Sequence, residues 1–496
     1  MSASVPLLIS HPLPFVTAFI EALNTALLEH KPGSPGLSRT QRGWLGLCLM
    51  GIMVTNSVCW GRFERASLGH YSVAALAWMF RHTKLPWEWL LQLSVQVLLH
   101  RYGITAGVLV ADDSDKRRAK VTSTLAHVHK LKDKTSGGFV MGQCLVFLLL
   151  VTPTLTLPVG VAFYCPDPTR TAWAKRDRVL KRQGVPKRLR PPQPPRQPAY
   201  PSKTELALTL LAQFRQAHPT IKVKAVLADA LYGTAPFLDT AAALFGGIQV
   251  ISQLHRNQTV RFRHRTLSVS QYFERYPGVP QPLRIRGGET ITAVVIRARL
   301  YVCAQRKKRF VIALNYEGET DYRYLVASEL TWRTQDILQV ATLRWLIEVF
   351  FQDWKAHEGW KALTKQRGAD GSRQSLILSL LVDHCLLLHP DQRARLEQQQ
   401  PAYTVGSLIN RIKVDSLLAV IRALLATDHP EQRLAQLADT LTQQFTLAPS
   451  EKHLAGRDLG RLEPTPSLKY KAEPPRFFRR RIYLSQAAKA DACCCR

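Results

Sequence analysis

The chain has 496 residues, and its 67 Lys and Arg outnumber its 36 Asp and Glu to give a formal net charge of +31. A charge of this size indicates a polyanionic partner, and nucleic acid is the first candidate. The sequence contains no P-loop, no GxGxxG after a strand, no HExxH and no paired Cys/His zinc pattern, which argues against a nucleotide cofactor and a zinc site.

Residues 1–100 are predicted to be mainly helical. Apolar residues recur at helical spacing in PFVTAFIEALNTALLEH, which begins at Pro14, and again in the segment that follows Pro86. Short helices ahead of an enzyme core could bind a DNA end, and a simple packing bundle explains them equally well. The first residues lack the charged and apolar regions of a secretory signal peptide.

Residues 101–255 are predicted to form the first part of an α/β core. The run GVLVADDSDKR is expected to be a strand that stops at Asp112 and Asp113, and IKVKAVLADALYG repeats the pattern and stops at Asp229. Open α/β sheets bind their ligands at the carboxyl ends of strands, where carboxylates can hold hard divalent cations. Each Asp taken alone could equally be a turn or a helix cap.

The apolar stretch from Met141 to Phe163 has the composition of a membrane span, but Pro153 and Pro158 interrupt it. We therefore predict a buried β hairpin, CLVFLLLVT with LPVGVAFY, and no membrane partner. The nine cysteines include no CxxC pair, which favours free thiols in a reducing cytoplasm.

Residues 170–203 are rich in Lys, Arg and Pro, and Asp177 is their only acidic residue. Such a segment cannot bury a core, so we predict an extended basic arm that follows DNA phosphates, with a solvated linker as the alternative. Its candidate phosphate-binding residues are Lys181, Arg182, Lys187 and Arg188.

Residues 256–335 contain several short β-forming runs separated by turn signals, which predicts a β-rich insertion. Residues 336–400 are predicted to return to the core, and residues 401–496 to form a helical C-terminal region with a mobile tail. The tail segment RFFRRR, Arg476–Arg481, interleaves cations with aromatics and could contact nucleic acid.

The segment LRWLIEVFFQDWK is predicted to be an amphipathic helix. Steps of four and seven residues place Arg344, Glu348 and Lys355 on one polar face, where a carboxylate between two cations suits phosphate chemistry. An ordinary ion pair within a surface helix would account for this segment if it stood alone. The separate apolar stripe consists of Leu343, Ile347, Phe350 and Trp354.

Together these segments resemble the DDE transposases of bacterial insertion sequences, in the group whose third motif is a Tyr, Arg, Glu, Lys signature. The signature has two residues between Tyr and Arg, three between Arg and Glu, and six between Glu and Lys, and Arg344, Glu348 and Lys355 match it. The Tyr position falls on Ala341, so one phosphate-contacting hydroxyl is missing.

In these transposases the first catalytic Asp precedes a small hydroxyl residue. Asp113, which precedes Ser114, is therefore a better match than Asp112, and the second catalytic Asp matches Asp229. The resemblance covers roughly residues 70–400, and the ordered set of three motifs is much more specific than any one of them.

The resemblance implies an α/β fold with a ribonuclease H-like catalytic core, interrupted by the β-rich insertion and flanked by helical N- and C-terminal regions. It implies that Asp113, Asp229 and Glu348 hold two Mg²⁺ or Mn²⁺ ions, roughly 3.5–4 Å apart, for phosphodiester cleavage and strand transfer. Arg344 and Lys355 would bind phosphates beside them. The implied partners are double-stranded DNA, as transposon ends and target, and a second copy in a homodimer at the nucleoid.

Two other functions stay open. A ribonuclease H-like nuclease or resolvase would share the metal triad, although the β-rich insertion and the basic residues of the third motif favour transposition. A non-catalytic DNA-binding descendant of a transposase would keep the positive charge, although all three carboxylates are present.

Overall fold

The N-terminal region is helical, as predicted, and its described residues form five helices. A computed structural model describes residues 8–9, 11–118, 122–133, 137–285, 289–360 and 366–445, so the Arg476–Arg481 segment and the predicted tail lie outside the described residues. The helices are α1 (Pro14–His30), α2 (Arg39–Thr55), α3 (Trp60–Ala66), α4 (Val73–His82) and α5 (Trp87–Arg101). Ser38 caps α2 with a capping box, and Pro86 directly precedes α5 as expected.

The N-terminal helices share one hydrophobic core with two helices from the other end of the chain. These are α12 (Gly368–Leu387) and α14 (Val405–Leu425), whose Leu381 and Ile409 pack with Leu49 of α2. A buried hydrogen bond of 2.6 Å between Ser94 Oγ and His384 Nδ1 joins α5 to α12. The chain up to Gln444 is one compact unit, and the sequence-based domain divisions stay predictions.

The centre of the fold is a twelve-stranded mixed sheet. Its strand order is β2-β3-β1-β5-β6-β12-β11-β10-β7-β8, with β4 paired to β3 and β9 paired to β10. The strands are β1 (Ala106–Arg117), β2 (His129–Lys132), β3 (Phe139–Val151), β4 (Thr156–Tyr164), β5 (Lys222–Ala228), β6 (Gln249–Leu254), β7 (Thr259–Phe262), β8 (Arg265–Ser268), β9 (Val279–Arg284), β10 (Thr290–Val302), β11 (Lys307–Tyr316) and β12 (Arg323–Ala327).

The predicted fold class is confirmed. The antiparallel β4-β3-β1 strands, followed by β5 and β6 parallel to β1, form the ribonuclease H-like core. The strands of the predicted insertion are present, and β12 pairs antiparallel with β6. The insertion therefore continues the core sheet, because every strand from β7 to β12 joins the same hydrogen-bonded ladder.

The predicted β hairpin is present, with β3 and β4 antiparallel and Leu149 opposite Pro158. Among the described helices, no single one is long and apolar enough to cross a membrane. One bent pair, Arg39–Thr55 with Trp60–Ala66, meets that test by length and composition alone.

The first strand corrects one expectation, because β1 does not stop at Asp112 and Asp113. It continues to Arg117 since β3 pairs with it along this whole length, with Asp113 opposite Val146 and Arg117 opposite Gly142. The pairing satisfies the backbone groups that a strand end would leave open. The two Asp residues therefore point to opposite faces of the sheet.

The basic arm corrects a second expectation, because its first half is helical. Helix α6 (Pro168–Arg182) begins after Asp167, whose side chain accepts hydrogen bonds from the backbone N–H of Thr169 and Arg170. The chain then returns along the helix, where Trp173 Nε1 donates to the Pro191 carbonyl at 2.8 Å. A 3₁₀ turn, Lys187–Leu189, separates the two halves.

The remaining helices cover the two faces of the sheet and the C-terminal region. One face packs against α7 (Lys203–Ala217) and α8 (Ala235–Leu244), and the other against α10 (Thr334–Ala341) and α11 (Trp345–His357). The others are α9 (Val269–Arg275), α13 (Pro390–Glu397) and α15 (Pro430–Gln444).

Candidate active site

Helix α11 lies on the sheet through the apolar stripe that the sequence predicted. Ile347, Phe350 and Trp354 are buried against β1 and β3, with the Phe147 ring 5.0 Å from that of Trp354. The helix begins at Trp345, so Arg344 lies on the preceding 3₁₀ turn, Thr342–Arg344. Because α11 packs on the sheet in this way, the position of Glu348 relative to β1 and β3 is fixed.

Asp112 and Asp229 come together because β1 and β5 are parallel neighbours. Ala111 is the register partner of Ala228, and an Asp follows each of them: Asp112 within β1 and Asp229 directly after the end of β5. Val108 and Val110, which precede Asp112 by four and two residues on β1 and so share its face, pack against α11. Asp112 therefore lies on the face that α11 covers, beside Asp229.

Arg344 connects this pair to Glu348. Its Nη1 donates to Asp112 Oδ2 at 2.8 Å and lies 3.8 Å from Glu348 Oε1. The Asp112 side chain is only 8% exposed, whereas that of Glu348 is 45% exposed. The structure thus places Arg344 between a deep carboxylate and a more accessible one.

The electrostatics of the pair reflect burial and crowding of like charges. Burial, followed by repulsion from Asp229, raises the pKa of Asp112 to about 7, although Arg344 and a hydrogen bond from the Asp113 backbone N–H oppose the shift. Burial also raises the pKa of Asp229, with a further upward contribution from the Asp113 carboxylate, whereas the Leu231 N–H, which donates to Asp229 Oδ1 at 2.9 Å, lowers it. A divalent cation would relieve this repulsion, so the carboxylates fit a metal site.

Asp113 lies on the opposite face of the sheet. Its Oδ2 accepts from Lys203 Nζ, at the start of α7, at 2.6 Å. Within the described residues, Asp113, Asp115 and Cys144 are the one group of three potential ligands whose atoms all lie within 4.8 Å of one another. Burial raises the pKa of the Cys144 thiol, and the Lys203 ammonium already neutralises Asp113, so this group suits a hard divalent ion poorly.

The other predicted residues occupy separate positions. Lys355 lies in the last turn of α11, with its Nζ 5.4 Å from the Phe351 ring centroid. The four candidate cations of the arm are solvent-exposed: Lys181 and Arg182 at the end of α6, and Lys187 and Arg188 in the following turn. None of the four forms an ion pair with Asp112, Asp113, Asp229 or Glu348.

Sequence reasoning missed Lys203 and gave Asp112 second place. The partner of Asp113 is 90 residues away along the chain, so no local signal identifies it. Alternation along β1 does separate Asp112 from Asp113, because successive side chains point to opposite faces of the sheet. Deciding which of the two lies beside Asp229 requires the register between β1 and β5, which the sequence does not give.

A sequence model of the family described as DDE superfamily endonuclease matches residues 35–309, which is more than half of the chain. The chain belongs to the DDE superfamily endonuclease family. The matched range includes Asp112, Asp113 and Asp229 and ends before the Glu348 helix. This DDE family membership supports a nuclease or transposase type of activity, and enzymes of the superfamily use divalent metal ions.

One solved structure similar to this DDE chain is the piggyBac transposase synaptic complex with hairpin DNA, determined by cryo-EM. The identity is 8% and the TM-score 0.40, with 95% of this chain and 90% of that chain covered. No curated protein sequence matches the chain significantly.

The departure at Ala341 leads to a testable expectation within this DDE chain. Ala341 ends α10 and packs, partly buried, against the core beneath α11. We expect Ala341→Tyr to overpack this contact and lower the free energy of unfolding by about 1–3 kcal/mol. Thermal unfolding and DNA-end affinity should be measured together. An unchanged melting temperature with affinity tighter by about 1 kcal/mol would instead indicate a vacant slot in which the phenol binds phosphate.

Proposed function

We propose that the chain is the DNA transposase of an insertion sequence, which binds terminal inverted repeats and catalyses metal-dependent strand cleavage and strand transfer. The observation that carries the proposal is the grouping around Arg344, which contacts Asp112 and Glu348 while Asp112 adjoins Asp229. The proposal also places the chain in the group with the Tyr, Arg, Glu, Lys signature.

We assign the metal-binding role to Asp112, Asp229 and Glu348. Asp112 replaces Asp113 in this proposal because Asp113 is on the other face and is paired with Lys203. Carboxylate oxygens are the ligands that Mg²⁺ and Mn²⁺ prefer, and three carboxylates can hold two such ions. The ligand atoms of Asp112, Asp229 and Glu348 do not all lie within 4.8 Å of one another, so the ions would draw these side chains together on binding. When bound, the ions would activate a water or a 3′-hydroxyl and stabilise the leaving oxygen.

The protein residues around the ions would position the DNA. Arg344 can release Asp112 to a metal and offer its planar guanidinium to a phosphate, for which its geometry is suited. The half-exposed Glu348 is the carboxylate nearest to solvent, so the scissile phosphate would approach from its side. Exchange of one phosphodiester for another is nearly isoenergetic, so no nucleotide cofactor is required.

The charge of the chain and the exposed cations of α6 support DNA as the partner. Neutralising Lys181, Arg182, Lys187 and Arg188 should reduce the slope of log affinity against log salt by up to about 3–4 units, since each lost phosphate contact contributes about 0.9. Binding titrations at several salt concentrations would measure it. Replacing the exposed Lys222 and Lys224 by Gln serves as a control, and an unchanged slope in the four-site variant would make the arm a linker.

The homodimer implied for a synaptic complex has support in α14. Opposite its buried face, this helix exposes a second apolar stripe consisting of Val414, Leu417, Leu418, Ile421 and Leu425. Residues 405–445 carry four basic and four acidic side chains, so two strongly basic chains could meet here without charge repulsion. Light scattering of the full chain bound to a DNA end would give the mass of the complex.

The proposed function is tested with DNA that carries the sequences flanking the gene, which should contain short inverted repeats. We expect Mg²⁺-dependent nicking at the ends of the element, followed by joining to a target strand, and loss of both steps in EDTA. Nicking without joined products would favour the nuclease or resolvase alternative. Binding without any cleavage would favour the non-catalytic descendant.

A further inference from the structure

A cavity lies beside β1 and α11, farther along both elements than the carboxylates. Alternation along β1 places Lys116 on the same face as Asp112, the face that α11 covers. Arg118, one residue past the end of β1, continues this alternation because its N–H still donates to the Met141 carbonyl of β3. On the helix side, Gln352 and Lys355 follow Glu348. Along both elements the side chains therefore change from acidic, at Asp112 and Glu348, to basic, at Lys116 and Lys355.

The basic side chains surround a cavity of about 660 Å³. Its lining includes Lys116, Arg117, Arg118, Gln352, Lys355 and Trp360. Four of these six residues are cationic and none is acidic. A cluster of cationic side chains makes the electrostatic potential in the cavity positive, and a positive potential favours an anionic ligand.

The floor of the cavity is held in place by buried contacts. Arg118 is 9% exposed, and its Nε donates to Gln143 Oε1 at 2.8 Å, while Gln143 Nε2 donates to the Ala126 carbonyl at 2.7 Å. The guanidinium lies 5.4 Å from the ring centroid of Trp360, which is fully buried and stacked on Trp354. The charge is therefore positioned before a ligand arrives, which reduces the entropic cost of binding.

Burial also makes Arg118 a better anion site. It lowers the pKa of the guanidinium to about 10, because the charged form has lost part of its hydration. A phosphate oxygen in the cavity would replace that hydration with a charge-assisted contact. Lys116, whose Nζ is 6.0 Å from the same Trp360 ring, lies on the same wall.

The distance between the cavity and the carboxylates determines which backbone phosphate of the DNA strand the cavity could bind. Lys116 is four residues along the strand from Asp112, or about 13 Å, and Lys355 is seven residues along the helix from Glu348, or about 10 Å. One DNA strand advances about 3.4 Å per nucleotide along the duplex axis. The cavity is therefore about three or four nucleotides from the bond at the metal site.

We propose that this cavity binds one backbone phosphate of the cleaved DNA strand, about three or four nucleotides from the scissile phosphate, and so fixes the direction in which the strand leaves the active site. The inference rests on the proposed function, since it requires a DNA strand bound at the carboxylates. It adds Lys116 and Arg118 as positioning residues.

The test combines protein variants with DNA in which single phosphates, at positions one to six from the cleaved bond, are replaced by neutral methylphosphonate. Binding is measured with the full chain in EDTA, so that it does not depend on cleavage. We expect Lys116→Ala to weaken binding of unmodified DNA about tenfold, the size of one charge-assisted contact. Lys222→Ala, at the amino end of β5, is the matched control and should have little effect.

The decisive result is non-additivity at one position. A methylphosphonate at position three or four should weaken binding by the wild-type chain about tenfold and have no further effect on Lys116→Ala, while all other positions remain additive. Additivity at every position would overturn the inference. If Lys116→Ala unfolds, Lys116→Gln is used in the same cycle. Cleavage of unmodified DNA in Mg²⁺ is scored separately, so failure of the proposed function would be seen independently.

Discussion

Asp112→Asn is expected to reduce Mg²⁺-dependent DNA cleavage by at least about a thousandfold while leaving DNA-end binding almost unchanged. The loss follows from the position of Asp112 beside Asp229 and under Arg344, where its carboxylate would be a direct metal ligand. A loss of this size is typical when a group that acts on the reacting atoms is removed. Asp229→Asn and Glu348→Gln should have the same effect, and cleavage and binding are assayed on one labelled DNA end.

The matched control is Asp113→Asn, one residue further along the same strand. Because Asp113 lies on the opposite face and pairs with Lys203, its loss should leave cleavage within about tenfold of the wild-type rate. The reverse pattern, with Asp112→Asn active and Asp113→Asn inactive, would return the catalytic role to Asp113.

The stability of Asp112→Asn relative to the wild-type chain should increase with pH. The pKa of Asp112 is raised from 3.8 to about 7 by burial and by Asp229. A group whose folded pKa is raised stabilises the fold while it is protonated, and this contribution is lost as the pH rises through the folded pKa. Since Asn does not ionise, the difference in unfolding free energy should change in favour of the variant by up to about 4 kcal/mol between pH 4 and pH 8.

Urea unfolding in EDTA at several pH values would measure this difference. Added Mg²⁺ should reduce it at pH 8, because ions that bind the ionised carboxylates stabilise the wild-type fold more than the variant, which has one carboxylate fewer. A difference that is independent of pH, or a variant that loses relative stability as the pH rises, would show that Asp112 is not a crowded carboxylate in the folded chain.

The elements that follow from local periodicity were predictable from the sequence. The apolar repeats of α1 and α11 and the hairpin of β3 and β4 each contain their signal within about 20 residues. The basic arm was harder, because its Pro-rich half suggested an extended chain. Asp167 starts a helix there, and Trp173 holds the returning segment against it.

The choice between Asp112 and Asp113 could not be made from the sequence, for a physical reason. A shift of one residue in strand register reverses the face of every side chain, and the register of β1 against β5 joins residues more than 100 positions apart. The pairing of Lys203 with Asp113 is equally non-local. The spacing of Arg344 and Glu348 is local, and the structure keeps these two side chains adjacent.

The most direct test of the central assignment is to count bound Mn²⁺ in the full chain without DNA, by electron paramagnetic resonance at about pH 8. This measurement does not require the sequence of the DNA ends. The wild-type chain and Asp113→Asn should each bind two ions, and Asp112→Asn and Asp229→Asn should each lose at least one. Full Mn²⁺ binding by Asp112→Asn, together with loss in Asp113→Asn, would contradict the assignment.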